Sequence, residues 1–433
     1  MVMSTSETRH TSASPRNVVT DTAQDAAQDT PPAGRRANLG GLLSLLAVGN
    51  IAMYMVYMGV GQVLLPLQVE AIDPADKVAN FGLVSGVSAI FATLFNPLAG
   101  VLSDRSRRRN PWILGGGIAA LGALALLGAM KSILLVTIGW CLVQATMNVY
   151  QAAITAVVPD RVPVERRGLA SATVGIGIPV GSMVGVALAT MFVPHDVPTG
   201  YLVLGAVVAG AAVLFTSLAQ ERKLPEQDTV PLGRQLAAFA AALRVADFRW
   251  AFVGRFLLTL GYFVIVVYQL YILQDHIELP KGLSPTDAIA IMTPVNSIAM
   301  LVATVAGGVL SDRIGRRKPF IAASCALTAA GMVVPLVSPD WTGMLVFSVI
   351  NGLGFGCFMA VDTALVTLVL PSAEDAARDM GVLNIANAGP QIIAPFIASL
   401  VVGAFGGYDA LFVVAAVVTA LGALSVVPIR SVR

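Results

Sequence analysis

Charged residues are scarce in this sequence. Only 12% of its 433 residues are charged and 56% are hydrophobic, whereas an ordinary soluble domain is about a quarter charged. The net charge of +2 predicts no nucleic-acid partner. Water is therefore excluded as the main solvent of this chain.

Cysteine and histidine are also few, and none is paired with another at a metal-binding or disulfide spacing. The cysteines lie inside apolar runs and the histidines in the tail or in short loops: Cys141, Cys325, Cys357, His10, His195 and His276. We therefore expect no metal and no cofactor. Nothing resembles a nucleotide-binding loop, so we expect neither an enzyme nor a pump driven by ATP hydrolysis.

Long apolar runs are what the sequence has in abundance. A bilayer core of about 30 Å needs about 20 apolar residues per helix. Continuous runs favour helices over the alternating segments of a β-barrel. The runs lie near residues 42–68, 79–102, 112–130, 132–158, 168–192, 200–219, 250–273, 287–311, 319–338, 342–370, 380–404 and 408–428. The pattern predicts an all-α membrane protein with twelve transmembrane helices.

Polar stretches divide these runs into two groups of six. Residues 1–38 are polar without an apolar period and predict a disordered cytoplasmic tail. Residues 220–249 carry several charges and two prolines and predict a cytoplasmic linker. The first six-helix bundle is therefore expected at 39–219 and the second at 250–433.

The charges of alternate loops differ in sign. One set of loops holds almost all the arginines, and the other is mainly acidic, with Lys77, Lys131 and Lys281 as its only lysine or arginine residues. The positive-inside rule then predicts that both termini and the linker are cytoplasmic, in a plasma membrane.

A basic loop occurs once in each half. Gly100 to Pro111 reads GVLSDRSRRRNP and Gly308 to Pro319 reads GVLSDRIGRRKP, and each copy lies between the second and third run of its half. Such a repeat indicates duplication and two pseudo-symmetric six-helix bundles, with a substrate site between them.

These loops resemble the signature of the major facilitator superfamily, which runs roughly G-x-x-x-D-R-x-G-R-R. The resemblance implies alternating access of the two bundles, and a gating role for the charged residues of both loops. These residues are Asp104, Arg105, Arg108, Arg109, Asp312, Arg313, Arg316 and Arg317. The first copy has Arg107 where the second has Gly315, which predicts a less favourable tight turn in the first.

A narrower resemblance concerns two segments, YQAAITAVVPDRVPVERRG and VDTALVTLVLPSAEDAARDMGVLNIANAGPQ. They look like the fourth-to-fifth and tenth-to-eleventh helix regions of sugar-cation symporters of the sucrose and glycoside-pentoside-hexuronide type. This resemblance implies sugar uptake. The sequence departs from that group in lacking carboxylates on the early helices, and it has Cys141 where many proton-coupled members have an arginine three residues before a glutamine.

Two charged residues lie inside apolar runs. Asp362 precedes Pro371 by nine residues, about 13 Å along a helix. We predict that it acts in coupling, with pairing or capping as the alternative. Arg255 lies in the seventh run, with Thr259, Tyr262 and Gln269 at helical spacing. It is predicted to contact substrate, or else to reach the headgroups.

Amides and tyrosines form further polar faces. Gln144, Asn148 and Gln151 share one helix face, as do Asn384, Asn387 and Gln391. Amides both donate and accept, which suits an uncharged hydroxylated ligand; the alternative is hydrogen bonding between helices. The complete predicted substrate set is Tyr54, Tyr57, Gln144, Asn148, Gln151, Arg255, Tyr262, Gln269, Asn384, Asn387 and Gln391.

The sequence thus predicts a secondary active transporter. Proton-coupled uptake of a neutral hydroxylated solute such as a sugar or glycoside is the leading hypothesis, with sodium coupling and facilitated diffusion as alternatives. Its expected partners are the small-molecule substrate, the coupling ion and membrane lipids, and the protein is expected to be a monomer. Proton-driven efflux of drugs or metabolites is the second hypothesis, although the Gly-Pro dipeptide of drug antiporters is absent around Pro179. A membrane sensor that does not transport is the third.

Overall fold

The computed structural model describes residues 37–193, 196–221, 244–369 and 376–429. Side chains are not described at 37, 38, 96, 97, 164, 363–385 and 387. Residues 1–36 of the predicted tail, most of the predicted linker, His10, His195 and the side chains of Asn384 and Asn387 therefore lie outside the described part. Contacts divide the chain after Leu42, and the architecture below concerns Leu43 onward.

Within the described residues, twelve helical segments are long and apolar enough to cross a membrane, which confirms the predicted fold class. We number them α1 to α12 in chain order. They are α1 (Ala37–Gly59, π-helical Val60–Leu64, Leu65–Ile72), α2 (Lys77–Ser106), α3 (Asn110–Gly128), α4 (Ile133–Arg161), α5 (Arg167–Gly175, Gly177–Phe192), α6 (Val197–Leu218), α7 (Ala246–Val266, Gln269–Asp275), α8 (Pro285–Ile314), α9 (Lys318–Val337), α10 (Trp341–Val369), α11 (Ala376–Phe405) and α12 (Tyr408–Ser425).

Local sequence explains where several helices begin. Pro285 occupies the first turn of α8, where its missing amide hydrogen costs nothing, and the Ser284 hydroxyl accepts a hydrogen bond of 3.1 Å from the Asp287 amide. The Ser132 hydroxyl caps α4 in the same way, accepting from Leu135.

The helix pairings repeat between the halves. In the first half α2 packs on α4, α3 on α4 and α3 on α6, and in the second α8 packs on α10, α9 on α10 and α9 on α12. The halves meet where α2 packs on α11 and where α5 packs on α8. A pseudo-two-fold axis relates these two helix pairs to each other. Small residues allow the approach: a Cβ atom added to Gly82 would lie 2.5 Å from the Cβ atom of Ser399.

Two helices are irregular at matching positions. Gly100 and Gly308 of the repeated loops are 208 residues apart. The π-helical segment of α1 is Val60–Leu64, and the same offset of 208 places its counterpart at residues 268–272 of α7. A new helical segment begins there, after the break at Val267 and Tyr268. Both irregularities lie toward the same end of the molecule, and π-helical turns are frequent at functional sites.

Candidate functional site

The loops define two ends of the molecule. The basic end carries the two GVLSDR loops, and the acidic end carries the loops that hold Glu70, Asp275, Asp340 and Asp409. Helix α2 runs from Lys77 at the acidic end to Ser106 at the basic end. A contact between the two halves can therefore be assigned to one end or the other.

At the acidic end, Lys77 ties the halves together. Its Nζ lies 2.9 Å from Glu70 Oε1 in its own half and 2.9 Å from Asp275 Oδ1 in the other. It also donates to Gln274 Oε1 at 3.1 Å, while Gln274 Nε2 donates to Glu70 Oε2 at 2.9 Å. Two residues of α7 are thus held by two residues of the first half. We call Glu70, Lys77, Gln274 and Asp275 the acidic-end lock.

Tyrosines of α7 reinforce the lock through the backbone. The Tyr268 hydroxyl donates to the Val78 carbonyl at 3.0 Å, and the Tyr271 hydroxyl donates to the Pro66 carbonyl at 2.8 Å. Both rings meet Phe81 edge to face, and all three side chains are buried. From the sequence, Lys77 and these carboxylates served only to assign the sides of the loops by their charge. Their contact was not predicted, because the sequence does not show which loops of the two halves meet.

Neutralising Lys77 is expected to weaken this closure. Its two ion pairs are partly exposed, and together they contribute roughly 1 kcal/mol after screening. Lys77→Gln should therefore raise the ratio of open to closed acidic end about fivefold. Spin labels at exposed Ala71 and Glu278 would report a larger long-distance population. Lys131→Gln, an exposed lysine at the same end, should leave the distances unchanged; an equal shift in both variants contradicts a specific lock.

Inside the second half, Arg255 and Asp362 form a buried ion pair. Arg255 Nε donates to Asp362 Oδ2 at 2.5 Å, and Nη2 contacts the same oxygen. The residues are 5% and 2% exposed, so Arg255 does not reach the headgroups. A cavity of about 10 Å³ beside the pair is large enough for about one water molecule.

Tyrosine and amide side chains pair in both halves. The Tyr57 hydroxyl donates to Gln151 Oε1 at 3.2 Å, between α1 and α4. The Tyr262 hydroxyl donates to Asn296 Oδ1 at 3.4 Å, between α7 and α8. Tyr262 also stacks on Phe355 of α10, with ring centroids 4.0 Å apart. Asn296 and Phe355 were not among the predicted residues, because neither belongs to a polar stripe.

The remaining predicted substrate residues are placed unequally. Tyr54 meets Tyr57 edge to face, and Tyr54 and Gln144 are half-buried. Asn148 is buried and donates to the Gln144 carbonyl of its own helix at 2.7 Å. Gln391 is exposed. Gln269 lies beyond the break in α7, which removes it from the helical register of Arg255 and Tyr262.

At the basic end, the two repeated loops differ in burial. Arg109 is 4% exposed and binds Asp104 at 2.6 Å and Asp160 at 2.8 Å, with Ser103 as a further acceptor. Glu221 Oε1 accepts from the Arg109 amide at 2.9 Å, at the N-terminus of α3. Each of these contacts stays within the first half.

The second loop has a looser version of this network. Arg317 binds Asp312 at 3.0 Å, but the carboxylate side chain is 69% exposed. The other predicted gating arginines are exposed in both loops: Arg105, Arg108, Arg313 and Arg316. Both loops make the same turn, since Arg107 adopts φ 55°, close to the 67° of Gly315. A residue with a side chain is sterically strained in this left-handed backbone conformation, so the turn of the first loop is the less favourable one, as its sequence predicted.

Comparison with known proteins supports this description. A profile of the Major Facilitator Superfamily matches residues 38–287 and 251–432. The multi-drug resistance efflux pump PmrA of Streptococcus pneumoniae is 28% identical over 185 residues, which is 38% of this chain and only 43% of the pump. The MFS transporter asaE of Aspergillus flavus is 25% identical over 75% of this chain and 72% of its own length.

Solved transporters share the fold. A structure of the nucleoside transporter NupG (D323A mutant) has a TM-score of 0.74 at 14% identity, covering 90% of this chain and 99% of NupG. A structure of a POT family transporter in complex with 5-aminolevulinic acid has a TM-score of 0.70 at 12% identity, covering 89% of this chain and 94% of that transporter. The profile match spans both halves, and the chain belongs to the Major Facilitator Superfamily, as a multi-pass membrane transporter rather than an enzyme.

Proposed function

We propose that this transporter carries an uncharged, hydroxylated solute such as a sugar or glycoside, by alternating access and with a coupled proton. The observation that supports this most is the pairing of tyrosine with amide in both halves. Tyr57 with Gln151 and Tyr262 with Asn296 offer ring faces beside groups that donate and accept. The two charges buried in the core of the second half, Arg255 and Asp362, neutralise each other. Such a lining favours ligands without net charge.

Asp362 is the proposed coupling group. Protonation neutralises the Asp362 carboxylate and so weakens its attraction to Arg255. Because Arg255 lies on α7 and Asp362 on α10, proton binding is linked to the relative position of these two helices. Because α7 also ends in Gln274 and Asp275 of the acidic-end lock, a shift of α7 would reach the opposite end. The same helix would thus connect protonation to gating.

The basic end is proposed to face the cytoplasm, and with it both termini of a plasma-membrane protein. This assignment rests on the arginine-rich loops and the positive-inside rule. The acidic-end lock then closes the extracellular side. The charged residues of the two GVLSDR loops are proposed to stabilise the opposite, outward-open conformation. Within the superfamily, the proposal favours the sugar-cation symporters as the subgroup of this chain.

Proton-driven efflux of drugs or metabolites is a second candidate. One observation favours it, the 28% identity with the efflux pump PmrA over 185 residues. The stacked Tyr262 and Phe355 would suit an aromatic amphipathic molecule as well as a sugar ring. The two candidates differ in direction and in whether the ligand carries hydroxyl groups.

Transport by the purified chain in proteoliposomes separates these candidates. Labelled sucrose, maltose and lactose should accumulate under an inward proton gradient and should leak out when an uncoupler is added. Protein-free liposomes provide the control. The absence of accumulation across the panel, together with extrusion of a fluorescent cationic dye, would reject sugar import and support efflux.

A further inference from the structure

Gln62 stands apart from the other polar residues of α1. It lies in the π-helical segment Val60–Leu64, where the Leu65 amide bonds the Val60 carbonyl five residues back. Its Nε2 contacts only the sulfur of Met58, at 3.4 Å, and its buried Oε1 has no hydrogen-bond partner among the described residues. A thioether is a weak acceptor, so the amide has most of its hydrogen-bonding capacity unused.

Gln68, one and a half turns further along the same helix, shows the contrast. Its Nε2 donates to the carbonyls of Leu127 at 2.8 Å and Met130 at 3.0 Å, and its Oε1 accepts from Tyr201 at 2.7 Å. Gln68 therefore joins helices within the first half. The hydrogen bond from Gln62 stays within α1, and a buried carbonyl oxygen without a partner is costly unless a ligand or water completes it.

Gln62 lies on the face of α1 that carries the predicted substrate residues. The half-buried residues Ile51, Tyr54, Met58 and Gln62 follow helical spacing along one face. The neighbouring Gly61 borders open space, because a Cβ atom added there meets no heavy atom within 4 Å. The stripe thus leads from the tyrosines toward Gln62 and then toward the acidic-end lock.

The other half contains a comparable glutamine. Gln269 opens the segment Gln269–Asp275 after the break in α7, and its Nε2 contacts only the sulfur of Met292, at 3.9 Å, among the described residues. The segment Val60–Leu64 packs against Gln269–Asp275. Each helix irregularity thus carries a glutamine whose donor meets only a thioether.

We infer that Gln62 and Gln269 form a second recognition site, between the tyrosine–amide pairs and the acidic-end lock, for hydroxyl groups of a neutral solute. A ligand oxygen would replace each sulfur as acceptor, and a ligand hydroxyl would donate to Gln62 Oε1. Both exchanges replace weak or missing hydrogen bonds with ordinary ones. This inference rests on the proposed transport of a hydroxylated solute.

The test compares leucine variants with matched controls in the purified full-length protein. Gln62→Leu and Gln269→Leu remove the amides, whereas Met58→Leu and Met292→Leu remove the sulfur and keep the amides. Binding of labelled sucrose, maltose and lactose is measured together with the melting temperature of each variant in detergent. We expect each glutamine variant to lose about fivefold to tenfold in disaccharide affinity, with a melting temperature no lower than that of the wild type. The methionine variants should stay within about twofold.

Three results would overturn the inference. Unchanged disaccharide affinity in both glutamine variants rejects the site while leaving the proposed function intact. A loss of disaccharide affinity that is accompanied by a lower melting temperature indicates a structural role instead. If the wild-type protein binds none of the three sugars, the proposed function fails, and the glutamine site fails with it.

Discussion

Replacing Asp362 by asparagine is expected to abolish coupled transport and to destabilise the protein by about 3–5 kcal/mol. The change leaves the Arg255 guanidinium, 5% exposed, without the anion that neutralises it. Since the proposed coupling requires a carboxyl that can gain and lose a proton, asparagine should also make any residual flux independent of the proton gradient. Accumulation ratios in proteoliposomes and the melting temperature in detergent measure the two effects.

A double variant separates stability from coupling. Arg255→Leu with Asp362→Leu removes both charges, and replacement of a buried ion pair by apolar residues is often neutral for folding. We expect the double variant to regain most of the lost stability without regaining accumulation. Asp312→Asn, at an exposed pair, is the control and should change stability by less than about 1 kcal/mol. Full dependence on the proton gradient in Asp362→Asn would rule out the coupling role.

Replacing Arg109 by alanine is the second change expected to have a large effect. It removes the cation that holds Asp104 and Asp160, and the Asp160 side chain is 7% exposed. We expect a loss of about 3 kcal/mol, because a buried carboxylate would remain unpaired. Thermal unfolding of the purified protein in detergent measures it.

The repeat supplies the matched control. Arg317 occupies the equivalent position of the second loop, but its partner Asp312 is largely exposed. Arg317→Ala should therefore cost less than about 1 kcal/mol. An equal loss of stability in both variants would contradict the prediction that the buried ion pairs of Arg109 stabilise the protein more than the exposed pair of Arg317. A loss of transport in Arg317→Ala without a loss of stability would support the proposed gating role of the second loop.

The helices themselves were predictable from local sequence. The runs predicted at 168–192 and 319–338 differ by at most one residue from the spans Arg167–Phe192 and Lys318–Val337. Lipid offers no hydrogen bonds, so a long apolar run must form a helix whatever its neighbours are. The irregularities of α1 and α7 were not predicted. The segment Val60–Leu64 contains one glycine, Gly61, which a helix tolerates, and Val267 and Tyr268 are neither glycine nor proline.

The candidate site was only partly predictable. Arg255 and Asp362 were selected as charges inside apolar runs, and Tyr57 and Gln151 as members of polar helix faces; the structure pairs them. The pairing itself was not predictable, because Arg255 and Asp362 are 107 residues apart. Helical spacing identifies a face but does not show which helix lies opposite it.

The sequence by itself determined that this protein is a duplicated bundle of twelve membrane helices with two basic loops at one end. These properties follow from hydrophobicity and from a repeated motif, both of which act locally. Only the tertiary structure decided that Lys77 meets Asp275 across the halves, that Arg109 is buried while Arg317 is not, and that Gln62 lacks a partner. Contacts between distant helices depend on how small residues let the helices approach, and that depends on the whole packed bundle.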